Sequence, residues 1–206
     1  MTKALKAHQR RLVGHGILQI ASTLAFGVGY WMKLVGGFEV VPGKIWHFNV
    51  PGTEEGWRRA HTGPALNGMM VIAAAAALPM VNLPEKEAKR LTNIVMLDGW
   101  SNVLFYFFGN FAPSRGLSFG PNKHGKTNVY GIIALGPAYL FGVLGLGALI
   151  KLGLAAFTGP ADPEATDISD DGHIAGSSAT ELGAAETAAA DKTPSGSGNG
   201  TGARAS

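Results

Sequence analysis

Apolar positions gather into four long stretches, at about 12–34, 64–83, 91–111 and 128–157. Each is near or above the ~20 residues that one bilayer crossing requires. The first runs from Leu12 through Ile17, Leu18, Ile20 and Phe26 to Leu34, and the second holds Met69-Met70-Val71-Ile72 and the alanine run Ala73 to Ala77. The third contains Ile94-Val95-Met96-Leu97 and Phe105-Tyr106-Phe107-Phe108, and the fourth is rich in Leu and Gly and ends near Lys151. A soluble chain of this size rarely carries four such stretches, so the pattern predicts an all-α fold, an integral membrane four-helix bundle. Ahead of the second stretch, Thr53 can cap a helix whose first turn holds Glu54 and Glu55, where negative charge suits the helix dipole. In the fourth, Ala134, Ala138 and Gly142 lie four apart on one stripe. Small residues at that spacing let helix backbones approach in lipid, although Gly and Ala are common in membrane helices without that role.

Composition divides the chain in two. Of 206 residues, 46% are hydrophobic and 15% charged, against roughly 25% charged in an ordinary soluble domain. Residues 1–158 hold 15 of the 17 Lys/Arg and 6 of the 14 Asp/Glu, a balance of +9, so residues 159–206 are left at −6. The net charge of +3 is therefore a cancellation, and no basic stripe interleaved with aromatics points to nucleic acid. The absence of cysteine excludes disulfides, zinc–thiolate clusters and thiolate nucleophiles. Residues 1–158 are expected to form a four-span membrane domain that carries whatever chemistry the chain performs. Residues 159–206, with no apolar period, are expected to be a disordered acidic Gly/Ala/Ser-rich tail. The basic start (Lys3, Lys6, Arg10, Arg11) precedes an apolar run too long for a signal core, so the first span is expected to be retained. Lys86, Lys89 and Arg90 return to the same side after two crossings, which puts both termini in the cytoplasm. Lys44, Arg58, Arg59, Arg115, Lys123 and Lys126 in the opposite loops weaken that bias.

Inside a bilayer the informative residues are the costly ones. An ionised Asp at a helix centre costs ~2.5–3.5 kcal/mol on insertion scales, so Asp98 should face a cavity or a partner. Asn102 and Tyr106 follow at steps of four, sharing one slowly drifting stripe. A carboxyl, an amide and a phenol lining one apolar cavity suit a small-molecule site; they also suit an interhelical hydrogen-bond set that fixes packing. Phe105 and Phe108 add aromatic faces nearby, as packing residues or as partners for a cation.

A second polar set, Trp57 to Gly68, surrounds the start of the second span. His61 would lie ~10 Å inside its helix, as a metal or haem ligand, a proton carrier or a packing residue. Arg58 and Arg59, one turn above, can pair with haem propionates. Asn67, six residues on, lies about 120° around the helix from His61, so a group serving both must lodge between helices or between subunits. His15 is a rival ligand, or else hydrogen-bonds a neighbouring helix, while His8, His47, His124 and His173 sit in loops or tails. No phosphate-binding loop, His-Glu-x-x-His or Gly-x-Gly-x-x-Gly after a strand is present.

Several strings lie in order along the first 155 residues. They are Gly14-His15-Gly16-Ile17-Leu18, Trp31-Met32-x-Leu34-Val35-Gly36-Gly37-Phe38-Glu39, Ala60-His61-x-Gly63-Pro64-Ala65-Leu66-Asn67-Gly68-Met69-Met70, Leu97-Asp98-Gly99-Trp100-x-Asn102, Arg115-Gly116-Leu117-x-Phe119-Gly120-Pro121-Asn122-Lys123 and Pro137-Ala138-Tyr139-Leu140-Phe141-Gly142-Val143-Leu144. Through these the sequence resembles the styrene oxide isomerases, membrane enzymes of bacterial styrene catabolism. The resemblance implies a homotrimer of four-span subunits in the bacterial inner membrane, with haem b at the subunit interfaces. It makes His61 the axial ligand and Asn67, Asp98 and Tyr106 catalytic residues, with styrene oxide and related aryl epoxides as substrates and phenylacetaldehyde as product. Ferric haem is expected to act as a Lewis acid on the epoxide oxygen, with a 1,2-hydride shift completing a redox-neutral Meinwald rearrangement. Two other readings stand beside it. One is a haem-binding membrane electron carrier or anchor subunit with His15 as second ligand; the other is a haem-free isomerase with Asp98 or Tyr106 as general acid.

Overall fold

Four helices carry most of residues 3–159, the part of the chain that the computed structural model describes: α1 (Lys3–Val35), α2 (Glu54–Ala77), α3 (Glu85–Gly109) and α4 (Val129–Phe157). The tail expected over 159–206 lies, apart from Gly159, outside the described residues. Helix α1 runs from Lys3, so the basic residues lie in its first turns. Helix α2 begins ten residues before the second apolar stretch, at the expected cap: Thr53 is extended (φ −105°, ψ 155°) and its Oγ1 accepts from the Gly56 N–H at 3.0 Å. Asn128 starts α4 in the same way, its Oδ1 accepting from the Gly131 N–H at 3.0 Å.

The fold is not wholly helical. Strands β1 (Gly37–Val41) and β2 (Lys44–His47) form an antiparallel hairpin between α1 and α2, with Phe38 opposite Trp46. Phe38-Glu39-Val40-Val41 and Lys44-Ile45-Trp46-His47 are β-branched and aromatic runs around Pro42-Gly43, a turn signal. Gly43 supplies the left-handed conformation (φ +80°), and its N–H donates to Glu39 Oε1 at 2.6 Å.

Helix α1 packs mainly on α2 and α4 on α3, while α3 also touches α1 and α2. The core runs through Leu12, Val71, Ala75, Leu78, Val95, Met96, Ala148 and Leu152. Glycines set the closest crossing: a Cβ on Gly68 would lie 2.5 Å from the Gly16 carbonyl oxygen. Of the small-residue stripe expected of α4, Ala134 is buried, but Ala138 and Gly142 are not. Its buried face is Gly131, Ala134, Gly145, Ala148 and Leu152, and a Cβ on Gly142 would meet open space.

Three helices, not four, are long and apolar enough to cross a membrane: Lys3–Val35, Glu54–Met80 (α2 with the short 3-10 turn after it) and Val129–Phe157. Helix α3 falls short because it carries Thr92, Asn93, Asp98, Ser101 and Asn102. Of these polar groups, Thr92, Asp98 and Ser101 are buried.

Candidate active site

Along the α3 stripe Asp98 and Asn102 are joined, while Tyr106 turns to a different neighbour. Asp98 is 6% exposed, and its Oδ1 accepts from Asn102 Nδ2 at 3.2 Å, one turn further on. The same Nδ2 lies 3.1 Å from the Asp98 carbonyl oxygen. The carboxyl fits against α4 because residue 145 is glycine; a Cβ there would lie 2.7 Å from Asp98 Cγ. Eight residues along α3 the stripe has turned by about 80°, and Tyr106 presents its ring to Gly63 of α2, with Phe105 edge-on at 5.6 Å. Asn67 stands one turn beyond Gly63, and its Nδ2 is buried with no acceptor among the described residues. Leaving such a donor unpaired costs ~1–3 kcal/mol, a cost that a bound acceptor would remove.

His61 faces the other way, toward α1. Its Nδ1 lies 2.9 Å from the Thr23 carbonyl oxygen, which can only accept, so Nδ1 carries a proton. In the neutral ring the lone pair is therefore on Nε2, the arrangement that prepares a histidine as a metal ligand. Gly27 makes room for the imidazole, since a Cβ there would lie 2.8 Å from Nδ1, and the Tyr30 ring stands 6.1 Å away. His15 is arranged in the opposite sense. Its Nδ1 accepts from Trp100 Nε1 at 3.1 Å, so the neutral ring carries its proton on Nε2 and has no lone pair free for a metal.

The two arginines part company. Arg58 is exposed and lies about 60° from His61 around α2, whereas Arg59 is about 160° away. Arg59 lines a cleft of about 250 Å³ with Glu55, Asn110, Arg115 and His124. An adjoining cleft of about 690 Å³ at the C-terminal end of α3 shares Thr53, Asn110, Ala112 and Pro113 with the first. It is walled by Phe107, Phe108, Phe111 and Tyr130, and none of Asn67, Asp98 and Tyr106 lines it. Phe108 stacks on Tyr130 there.

Sequence reasoning passed over the α1 side of the site. Gln19 and Thr23 lie one turn apart, and each leaves a buried side-chain oxygen unpartnered among the described residues. Polar residues spaced by four within an apolar stretch were the available signal. The Thr23 main-chain carbonyl had none.

Across residues 8–157 the chain matches the styrene oxide isomerase family. It is 59% identical over 152 residues to the styrene-oxide isomerase of Pseudomonas fluorescens, covering 74% of this chain and 90% of that one. This chain belongs to the styrene oxide isomerase family. It is an isomerase. The family match ends with α4, and His61, Asn67, Asp98 and Tyr106 all lie within it. Among the described residues no three His, Cys, Asp or Glu side chains gather to hold a metal ion. A single free imidazole nitrogen suits a metal that arrives with its remaining ligands already in place, as in a porphyrin.

Proposed function

We propose that this styrene oxide isomerase family member converts styrene oxide and related aryl epoxides to phenylacetaldehyde and its analogues, in a four-span membrane bundle that binds haem b through His61. The substrate reading rests on the 59% identity to the Pseudomonas fluorescens enzyme. The haem reading is supported by the His61 ring, pinned at Nδ1 and free at Nε2. When bound, ferric haem supplies a Lewis acid for the epoxide oxygen.

The protein's own groups supply the rest. Asn67 Nδ2 and the Tyr106 hydroxyl donate to the oxygen as the benzylic C–O bond breaks and its electron pair moves to oxygen. Donors fixed in a dry site stabilise that charge far more than water does. Asp98, held by Asn102 against α4 and about 12 Å along α3 from Tyr106, would act on the positive charge at the benzylic carbon through space. A hydride then passes from the neighbouring carbon to the benzylic one, giving the aldehyde with no net oxidation. The apolar helices exclude water, which would trap the cation as a diol.

His61 and Asn67 sit on different faces of α2. A group held by His61 therefore meets the Asn67–Tyr106 set most readily across two copies, which supports haem at the interfaces of a homotrimer. The basic residues at the N-terminal ends of α1 and α3 support placing that end of the bundle on the cytoplasmic side of the bacterial inner membrane.

The deciding assay is aldehyde formation from styrene oxide by detergent-purified protein without nucleotide or electron donor. Rapid phenylacetaldehyde release is expected; none from folded, haem-loaded protein would overturn the proposal. Gly27→Ala tests the haem seat apart from turnover. Its Cβ would press on His61 Nδ1, and haem transfer to an apo-globin acceptor should quicken about 10–100-fold, the usual cost of disturbing a ligand's support. An unchanged transfer rate would mean that the α1 face does not orient the ligand.

A further inference from the structure

Away from the site, two adjoining clefts of about 410 and 280 Å³ share Arg90, Ile94 and Leu144 on the outer side of α3, beside α4. We infer that this groove seats an anionic phospholipid, its phosphate on Lys86, Lys89 and Arg90 and an acyl chain along Ile94, Leu97 and Leu144.

The spacing on α3 makes the groove one stripe. Residues 86, 89, 90, 93, 94 and 97 fall three or four apart, on a single face. The stripe is graded, with cations in the first two turns and apolar side chains below. Leu97 and Leu144 are 40% and 39% exposed, so the lower part is open rather than filled by the chain itself.

The cations are placed against local electrostatics. They lie near a helix N-terminus, where the dipole disfavours positive charge, and they repel one another at i, i+3 and i+4. None has a carboxylate partner among the described residues. The ion pairs there are Arg115–Glu55 and Lys151–Glu87, so the one acidic side chain in the groove is already engaged. Arg11 reaches the same place from α1, its Nη1 donating to Asn93 Oδ1 at 3.0 Å. A phosphate would offset both penalties. The apolar run leading away from the cations, toward the middle of α3, fits a lipid and not a soluble anion. Basic pockets between membrane helices bind acidic headgroups on these principles.

The inference rests on the membrane reading, and the two fail separately. A chain that stays soluble without detergent would end that reading; one that needs detergent but ignores acidic lipid would end only this inference. The test uses the full chain in dodecyl maltoside, titrated with dioleoylphosphatidylglycerol and followed by native mass spectrometry. One retained lipid per chain is expected, with dioleoylphosphatidylcholine washed out. The triple variant K86Q/K89Q/R90Q should bind about 100-fold more weakly, at roughly fivefold per cation removed. Lys3→Gln with Lys6→Gln, at the same end of the bundle but outside the groove, should bind like the parent. If the triple variant does not fold, Leu144→Trp obstructs the acyl path with every charge kept, and should weaken the lipid while leaving glycerol 3-phosphate unaffected. Equal retention of phosphatidylcholine, or parent-like lipid binding by whichever groove variant folds, would overturn the inference. So would glycerol 3-phosphate or polyglutamate binding as tightly as the lipid, which would make the groove a plain anion or peptide surface.

Discussion

Replacing His61 with alanine is expected to strip haem and isomerase activity from the same preparation. His15, the imidazole deeper in α1, cannot take over, because its Nδ1 is engaged by Trp100. Losing a Lewis acid removes several kcal/mol of transition-state stabilisation, and at 1.36 kcal/mol per decade the rate should fall about 10³-fold or more. Soret absorbance per mole of protein, read beside aldehyde formation, checks both halves. A His61→Ala protein proven haem-free yet as fast as the parent would eliminate the Lewis-acid route and return the chemistry to Asp98 or Tyr106 as general acid.

Tyr106→Phe is expected to behave differently, keeping haem and losing rate. The ring that lies against Gly63 and meets Phe105 edge-on remains, so packing changes little. Only the hydroxyl goes, and it has no protein partner among the described residues. Removing one donor from a site that stabilises developing oxyanion charge costs ~10²–10³-fold in kcat. Since that donation strengthens as the C–O bond breaks, kcat should carry most of the loss and KM little of it. A full kcat with a raised KM would make the phenol a binding group only.

Local chemistry was legible along the chain where partners are near in sequence. Thr53 and its acidic first turn marked the start of α2, and the steps of four from Asp98 put Asn102 within reach of its carboxyl. The hairpin announced itself through Pro42-Gly43 between β-branched and aromatic runs, a signal overlooked beside the long apolar stretches. Other features needed the fold. That Asp98 and Ser101 of α3 are buried follows from its contacts with all three other helices, which no single segment displays. The direction His61 faces is set by a main-chain carbonyl 38 residues earlier, and Gly27 and Gly145 matter only for what lies opposite them. The cleft that receives Arg59 is likewise built from α3 and the loop after it.

The bond between Asp98 and Asn102 has a consequence for biogenesis. Both partners belong to α3, so the pair can close as soon as that segment coils, before α4 exists. On the membrane reading proposed above, the polar group would enter lipid already carrying its own donor. Gly145 then needs only to leave space for it, and the later docking of α4 forms no ionic bond to Asp98. In a membrane bundle the costly step of assembly would be the insertion of α3, the helix that falls short of the apolarity of a candidate span.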